Sequence, residues 1–160
     1  MTVVLGIDPG LIKTGFGVVE SVNNTLVYVN SGTIFTDTKL TLELRLSNIF
    51  NELTKIIETY NPEVISIEET FVNNNPMSSL KLGEARGIAV LVAGLNNIPL
   101  YEYKPNMIKK TISGAGKAGK EQIKTMVKFL LPLAKPKTED ESDALAIAIC
   151  HIHNNKLFNR

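Results

Sequence analysis

Four acidic residues carry most of the chemical information in this chain: Asp8, Glu68, Asp140 and Asp143. Asp8 closes the apolar run VVLGID at 3–8, and Glu68 closes VISIE at 64–68. A carboxylate at such a position is poorly placed for a core, because an unpaired buried charge is expensive. The ends of neighbouring strands are good places to assemble a site. Asp140 and Asp143 are three residues apart at the start of a helix and so share a face. Their like charges repel. The helix dipole offsets part of that repulsion, and a divalent cation would offset more. Hard cations such as Mg²⁺ take oxygen ligands. Two carboxylates from strand ends and two from a helix start could hold two ions about 4 Å apart, an arrangement that stabilises in-line displacement at phosphate. Each acid also has an ordinary reading. First helical turns are rich in Asp and Glu, and Asp8 could cap the turn at Pro9-Gly10. The ordinary reading is preferred for Glu139 and Glu141. For the other four, independent positions of one chemical type favour a site.

The elements that must position these acids follow from hydrophobic period. Residues 3–8, 14–20 and 25–34 read as strands of an antiparallel meander, with Asn23-Asn24 suited to a hairpin turn. Over 40–60, Leu42, Leu46, Ile49, Leu53, Ile56 and Tyr60 recur at helical spacing, and Asn61-Pro62 stops the helix. A strand at 64–68 is followed by a polar loop at 72–78. A mostly apolar helix at 79–95 has Gly83 and Gly87 four apart, a spacing that permits close backbone packing. A fifth strand at 99–103 precedes helices at 105–112, 120–131 and 139–154. This order predicts one α/β domain over 1–160, with a five-stranded mixed sheet flanked by helices.

Composition narrows the function classes. At 160 residues, with 44% apolar and 21% charged residues, the chain is that of an ordinary globular protein, not a disordered one. No run of about 18 apolar residues predicts a membrane span, and the N-terminus does not read as a secretory signal. The lone Cys150 excludes an intrachain disulfide, so a reducing, cytoplasmic setting is expected. The net charge of +1 conceals an asymmetry. Residues 104–137 carry nine lysines and one acid, a net +8, whereas the remainder has 8 basic and 15 acidic residues, a net −7. A basic lobe on an acidic body suits a polyanion held near an acidic centre. A solvated lysine-rich helix face explains the same count equally well.

The blocks GIDPG, TGFGVVE, VISIEETF, SSLKLGEARG and SDALAIAICH, in this order, resemble the RuvC family of Holliday-junction resolvases. The resemblance extends from about residue 3 to about 153. It implies a ribonuclease H-like fold of the integrase superfamily. It also implies a Mg²⁺-dependent endonuclease with two ions per site, for which Mn²⁺ can substitute, acting on four-way junction DNA by paired symmetric nicks in recombination and repair. Asp8, Glu68, Asp140 and Asp143 then match the four catalytic, metal-binding carboxylates. The family motif aligns with Glu68, which leaves Glu69 outside the site. Phe71 resembles an aromatic residue that stacks on a base at the junction centre, although a half-buried loop Phe is the plain alternative. Lys109 and Lys120 match lysines that contact DNA near the scissile phosphate. Helix 79–95 resembles a dimer-interface helix, so a homodimer is implied, as is partnership with a RuvA–RuvB-type branch-migration complex. Some relatives carry a longer basic tail than the one ending at Arg160.

Other signals are set aside. GAGKAGK at 114–120 approaches a P-loop, but Glu121 stands where Ser or Thr should, and no strand precedes it. His151 and His153 are two apart on a helix, form no metal pair, and read as surface or interface residues, with His151 near the edge of the site as a second reading. Cys150 reads as core. Two rivals remain: a junction-binding module whose acids are structural, and an actin-like nucleotide enzyme prompted by GIDPG, which normally needs two copies of such a fold.

Overall fold

The computed structural model describes residues 1–70 and 75–158. The chain runs β1 (Thr2–Asp8), β2 (Lys13–Val22), β3 (Thr25–Phe35), α1 (Leu42–Tyr60), β4 (Val64–Glu68), α2 (Pro76–Leu95), β5 (Leu100–Tyr103), α3 (Pro105–Ser113), α4 (Lys120–Leu130) and α5 (Glu139–Phe158). The five strands form one sheet in the order β3-β2-β1-β4-β5. The β1–β2 and β2–β3 pairs are antiparallel, and β1–β4 and β4–β5 are parallel. The expected α/β mixed sheet and its meander are both present. At the β2–β3 turn, Asn23 and Asn24 have φ of 48° and 67°, the left-handed pair that a two-residue hairpin turn of type I′ requires.

Period-2 alternation divides the sheet into two faces. Leu5, Ile7, Val18, Ile65 and Ile67 pack with Ile49, Leu53 and Ile57 of α1 and with Ala85 and Ala89 of α2. Val4 and Val19 point the other way and join Ile108 and Ile112 of α3, Ile123 and Val127 of α4, and the apolar length of α5. The parity that sends Leu5 and Ile7 toward α1 sends Gly6 and Asp8 toward α5. It does the same for Ser66 and Glu68 on β4. Thus α5 lies on the face that carries both strand-end acids.

That helix sits unusually close to the sheet. A Cβ on Gly6 would lie 2.1 Å from the Ala144 carbonyl oxygen, one on Gly15 2.1 Å from that of Asp140, and one on Gly17 2.8 Å from the Leu145 nitrogen. The three glycines leave a smooth track on β1 and β2 into which α5 settles backbone against backbone.

Three differences from expectation have local causes. Helix α2 begins at Pro76, inside the stretch read as loop, because Asn75 caps it. The Asn75 Oδ1 accepts from the backbone N–H of Met77 at 3.1 Å and of Ser78 at 3.2 Å, and Pro76 takes the first helical position. Gly83 and Gly87 do not mediate close packing among the described residues, since nothing there lies within 4 Å of a Cβ added at either. His151 is not on the surface. It is 1% exposed, accepts or donates at Nδ1 with the Tyr103 hydroxyl at 2.8 Å, and lies against the Tyr101 ring at a 4.8 Å centroid distance. Cys150 is fully buried, as expected.

The glycine track makes a direct prediction. Gly15→Ala must push α5 off the sheet, because the obstructing atoms are backbone. Overpacking of this kind costs about 1–3 kcal/mol. Thermal unfolding should therefore show a Tm lower by roughly 3–10 °C. An unchanged Tm would mean that the contact yields freely and does not position α5.

Candidate active site

Asp8 and Glu68 end adjacent parallel strands. Register pairs Ile7 with Ile67, so the two acids follow at the same level, with backbones about 4.8 Å apart. On the other side of β1, Asp8 is the cross-strand partner of Gly15. Gly15 is the residue whose missing side chain leaves room for the Asp140 backbone. Asp143 follows one turn later on α5 and lines a cleft of about 220 Å³ together with Glu68, Lys109 and Lys120. Ile108, Ile123 and Ile147 provide apolar lining. The four acids from three elements therefore share one end of the sheet, and both lysines face the same cleft.

The turn after Asp8 is pinned by Thr14, which is 1% exposed. Its Oγ1 donates to the Gly10 carbonyl at 2.8 Å and accepts from the Gly10 N–H at 3.3 Å. Thr14 thus clasps both ends of one peptide residue and fixes the exit of the chain from β1. It lies inside the TGFGVVE block, but only the folded turn reveals its partner.

The start of α5 is held by side-chain hydrogen bonds around Thr138 and Glu141. The Thr138 Oγ1 accepts from the Glu141 N–H at 3.1 Å. The Glu141 carboxylate, on a residue 5% exposed, accepts from the Lys137 N–H at 3.1 Å and from the Ser31 hydroxyl at 3.2 Å. Glu141 thus ties α5 to β3 and turns away from the cleft. The spacing Thr-x-x-Glu at 138–141 is the sequence signal for this arrangement. Glu139 forms an exposed ion pair with Lys120 at 3.0 Å. The ordinary structural reading of Glu139 and Glu141 agrees with these contacts.

Electrostatics mark the centre as under strain. Burial, then the charges of Asp143, Asp140 and Glu68, push the Asp8 carboxyl up to about 7, with Lys120 opposing. Burial, then Asp143, raises the Glu68 carboxyl, and Lys109 opposes. Burial also raises Asp143, against the pull of Lys120 and Lys109. Among the described residues, no three His, Cys, Asp or Glu side chains close into a complete metal-ligand set. The donors nevertheless suit a hard cation. They are all carboxylate oxygens, mutually repelling and partly buried, and lack enough positive charge of their own. Phe71 lies outside the described residues. Glu69 does not line the cleft; its N–H donates to the Tyr103 carbonyl at 2.8 Å. The GAGKAGK segment follows α3, not a strand, which removes the P-loop context.

The chain is similar to known proteins over nearly its whole length. The family model described as crossover junction endodeoxyribonuclease RuvC matches residues 4–151. A crossover junction endodeoxyribonuclease RuvC from Rhodopseudomonas palustris (strain BisB18) is 51% identical over 151 residues, covering 94% of this chain and 86% of that protein. A solved structure of Thermus thermophilus RuvC in complex with a Holliday junction substrate superposes with a TM-score of 0.92 at 29% identity, covering 99% of this chain and 97% of that one. The yeast mitochondrial Holliday junction resolvase Ydc2 shares the fold, with a TM-score of 0.66 at 16% identity over 97% of this chain and 85% of its own.

The raised Asp8 carboxyl has a consequence for stability. The folded, metal-free chain takes up this proton as pH falls through about 7, and the unfolded chain only near 3.8. The folded state therefore binds more protons in that window, and stability from this group falls as pH rises. The full cost is present above about pH 7 and fades toward pH 4. In EDTA, Asp8→Asn should melt several degrees above the wild type at pH 8, with the gap closing near pH 4–5. Calorimetry across pH checks this, and equal Tm values at pH 8 would refute the burial of an ionised Asp8.

Proposed function

Because the chain belongs to the RuvC family of crossover junction endodeoxyribonucleases, we propose that it resolves four-way DNA junctions by paired symmetric nicks in homologous recombination and DNA repair. The observation that carries this reading is the convergence of Asp8, Glu68 and Asp143 with Lys109 and Lys120 at one end of the sheet. In this reading one nuclease domain spans 1–160.

Asp8, Glu68, Asp140 and Asp143 would hold Mg²⁺, with Mn²⁺ as a substitute. Bound ions of this kind supply Lewis acidity and positive charge at a reacting phosphate. The residues of the chain do the rest. The strand ends fix Asp8 and Glu68, and the glycine track fixes Asp140 and Asp143 against them. Lys109 and Lys120 seat the backbone phosphates and neutralise charge as it develops. Lys120 is free to change partners, because its exposed pairing with Glu139 is worth little. Ile108, Ile123 and Ile147 lower the local dielectric beside the reacting group. The expected products are a 5′-phosphate and a 3′-hydroxyl, which a ligase can seal.

A homodimer suits a substrate with two symmetry-related strands. Helix α2 supports this reading. Met77, Leu80, Leu91 and Leu95 are 50–62% exposed along one stripe, and the space above Gly83, Gly87 and Gly94 is open. Such a face is apolar and flat enough to receive its own copy. Phe71 is proposed to stack on a junction base. Partnership with a RuvA–RuvB-type complex and a cytoplasmic location complete the proposal. No helix among the described residues is long and apolar enough to cross a membrane.

The test is cleavage of a labelled four-way junction and of a matching linear duplex, in Mg²⁺ or EDTA. Paired nicking of the junction alone is expected, dependent on Mg²⁺. Losing even an outer partner of a metal site costs about 10–100-fold, so Asp8→Asn should lose more than about 100-fold while retaining junction binding. Tight binding without nicking by the wild type, on junctions of varied core sequence, would favour a pure recognition module.

A further inference from the structure

The nuclease reading uses Lys109 and Lys120 and leaves the rest of the lysine-rich segment without a task. Part of it lines a second groove. This groove, of about 660 Å³, lies between β3 and the 131–138 connector, beside the start of α5. Lys135 and Lys137 line it, with Asn30, Ser31, Thr33 and Phe35 of the β3 edge strand. Both lysines are exposed, and Phe35 is 58% exposed. Glu141 also lines it, but its carboxylate is occupied by the Ser31 hydroxyl and the Lys137 N–H.

This groove and the acidic cleft both border the start of α5. At that tip Glu139 pairs with Lys120 at 3.0 Å, and Gly15, two residues from Lys13 on β2, packs against the Asp140 backbone. Lys120 lines the cleft, whereas Lys13 sits 6.0 Å from the centroid of the Phe35 ring in the second groove. A basic path therefore runs from Lys109 and Lys120 over the tip of α5, past Lys13, to Lys135 and Lys137. Pro132 and Pro136 limit the freedom of the connector that presents the last two.

Resting on the nuclease reading, the geometry points to a second backbone-binding site for the same DNA: the duplex arm leaving the cleft crosses the tip of α5, and Lys13, Lys135 and Lys137 contact its phosphates. Charge complementarity and continuity with the cleft favour a polyanion here over an apolar partner. Such contacts hold register on the duplex and read no sequence. They would make affinity depend on the length of the arm.

The test measures junction binding by Asp8→Asn, which binds without cutting, with and without the added pair K135A/K137A, across a salt series. Both positions are exposed, and Lys137 uses only its backbone N–H internally, which alanine keeps. An unchanged melting temperature confirms an intact fold. Each lost lysine–phosphate contact should reduce the slope of log K against log salt by about one. K135R/K137R should restore the slope, and the deficit should vanish on junctions with arms trimmed to stubs. An unchanged slope in K135A/K137A, with Asp8→Asn still binding junctions, would overturn this site alone and leave the groove to a protein partner. No junction binding by Asp8→Asn would overturn the nuclease reading and this site together.

Discussion

The structure depends on one close contact, the seating of α5 on the backbone of β1 and β2. Helices usually meet a sheet through side chains, at a distance set by their bulk. Here Gly6, Gly15 and Gly17 remove that bulk, and the carbonyls of Ala144 and Asp140 occupy space where Cβ atoms would stand. The rewards are geometric. Asp140 is brought beside Gly15, the cross-strand partner of Asp8, and one turn further along α5, Asp143 reaches the cleft that Glu68 lines. Gly15 and Asp140, 125 positions apart in the chain, meet because that side chain is absent. The contact also makes α5 the most deeply buried helix, with Ala144 to Ile152 almost fully enclosed.

The same contact creates an electrostatic problem. It presses several carboxylates together where water is scarce, and each loses hydration as it approaches the others. The raised carboxyls of Asp8, Glu68 and Asp143 all have burial as the leading cause; the charge of Asp143 comes next for Asp8 and Glu68, whereas Asp143 is also pulled down by Lys120. Nothing in the fold requires acids there, and apolar side chains would be more stable. The hydrogen bonds of Thr138 and Glu141, the Thr14 clasp on Gly10 and the two hydrophobic layers offset this cost. A site held in a strained state by a rigid surround is prepared for a ligand that relieves the strain, and in the proposed function that ligand is a divalent cation.

Much of this was legible in the sequence, for identifiable reasons. Strand parity alone places Asp8 and Glu68 on the face opposite Leu5, Ile7, Ile65 and Ile67, because the period of a strand is two. The order of elements and the ends of β4 agree with the structure because the Asn61-Pro62 stop and the apolar run after it leave little freedom. The glycine track was not legible, since Gly6, Gly15 and Gly17 have meaning only once α5 has a position. Gly83 and Gly87 invited a packing role by their spacing, yet their faces are open in the chain. The start of α2 was not legible because the polar run 72–78 reads as loop, whereas Asn75 caps the helix and Pro76 is its first residue. His151 was misplaced because helical spacing reports which residues share a face, not which face is buried. With α5 enclosed on most sides, His151 is buried with it, and its Nδ1 meets the Tyr103 hydroxyl inside.

The divided charge of the chain also gains a physical meaning. An acidic centre strong enough to attract cations would by itself repel the phosphate backbone that must enter it. Screening weakens that repulsion at the surface but less within a cleft walled by protein. The positive charge therefore has to be carried on elements that frame the centre without neutralising it. The α3 and α4 helices do this. Their buried residues Ile108, Ile112, Ile123 and Val127 anchor them to α5, and Lys109 and Lys120 project beside Glu68 and Asp143. Because lysines surround the acids and do not pair with them directly, the carboxyls of Asp8, Glu68 and Asp143 remain raised. The approach is thus electrostatically favourable while the centre stays short of positive charge. Both conditions must hold for one site to receive a polyanion and a cation together, and an even distribution of the same 17 basic and 16 acidic residues would meet neither.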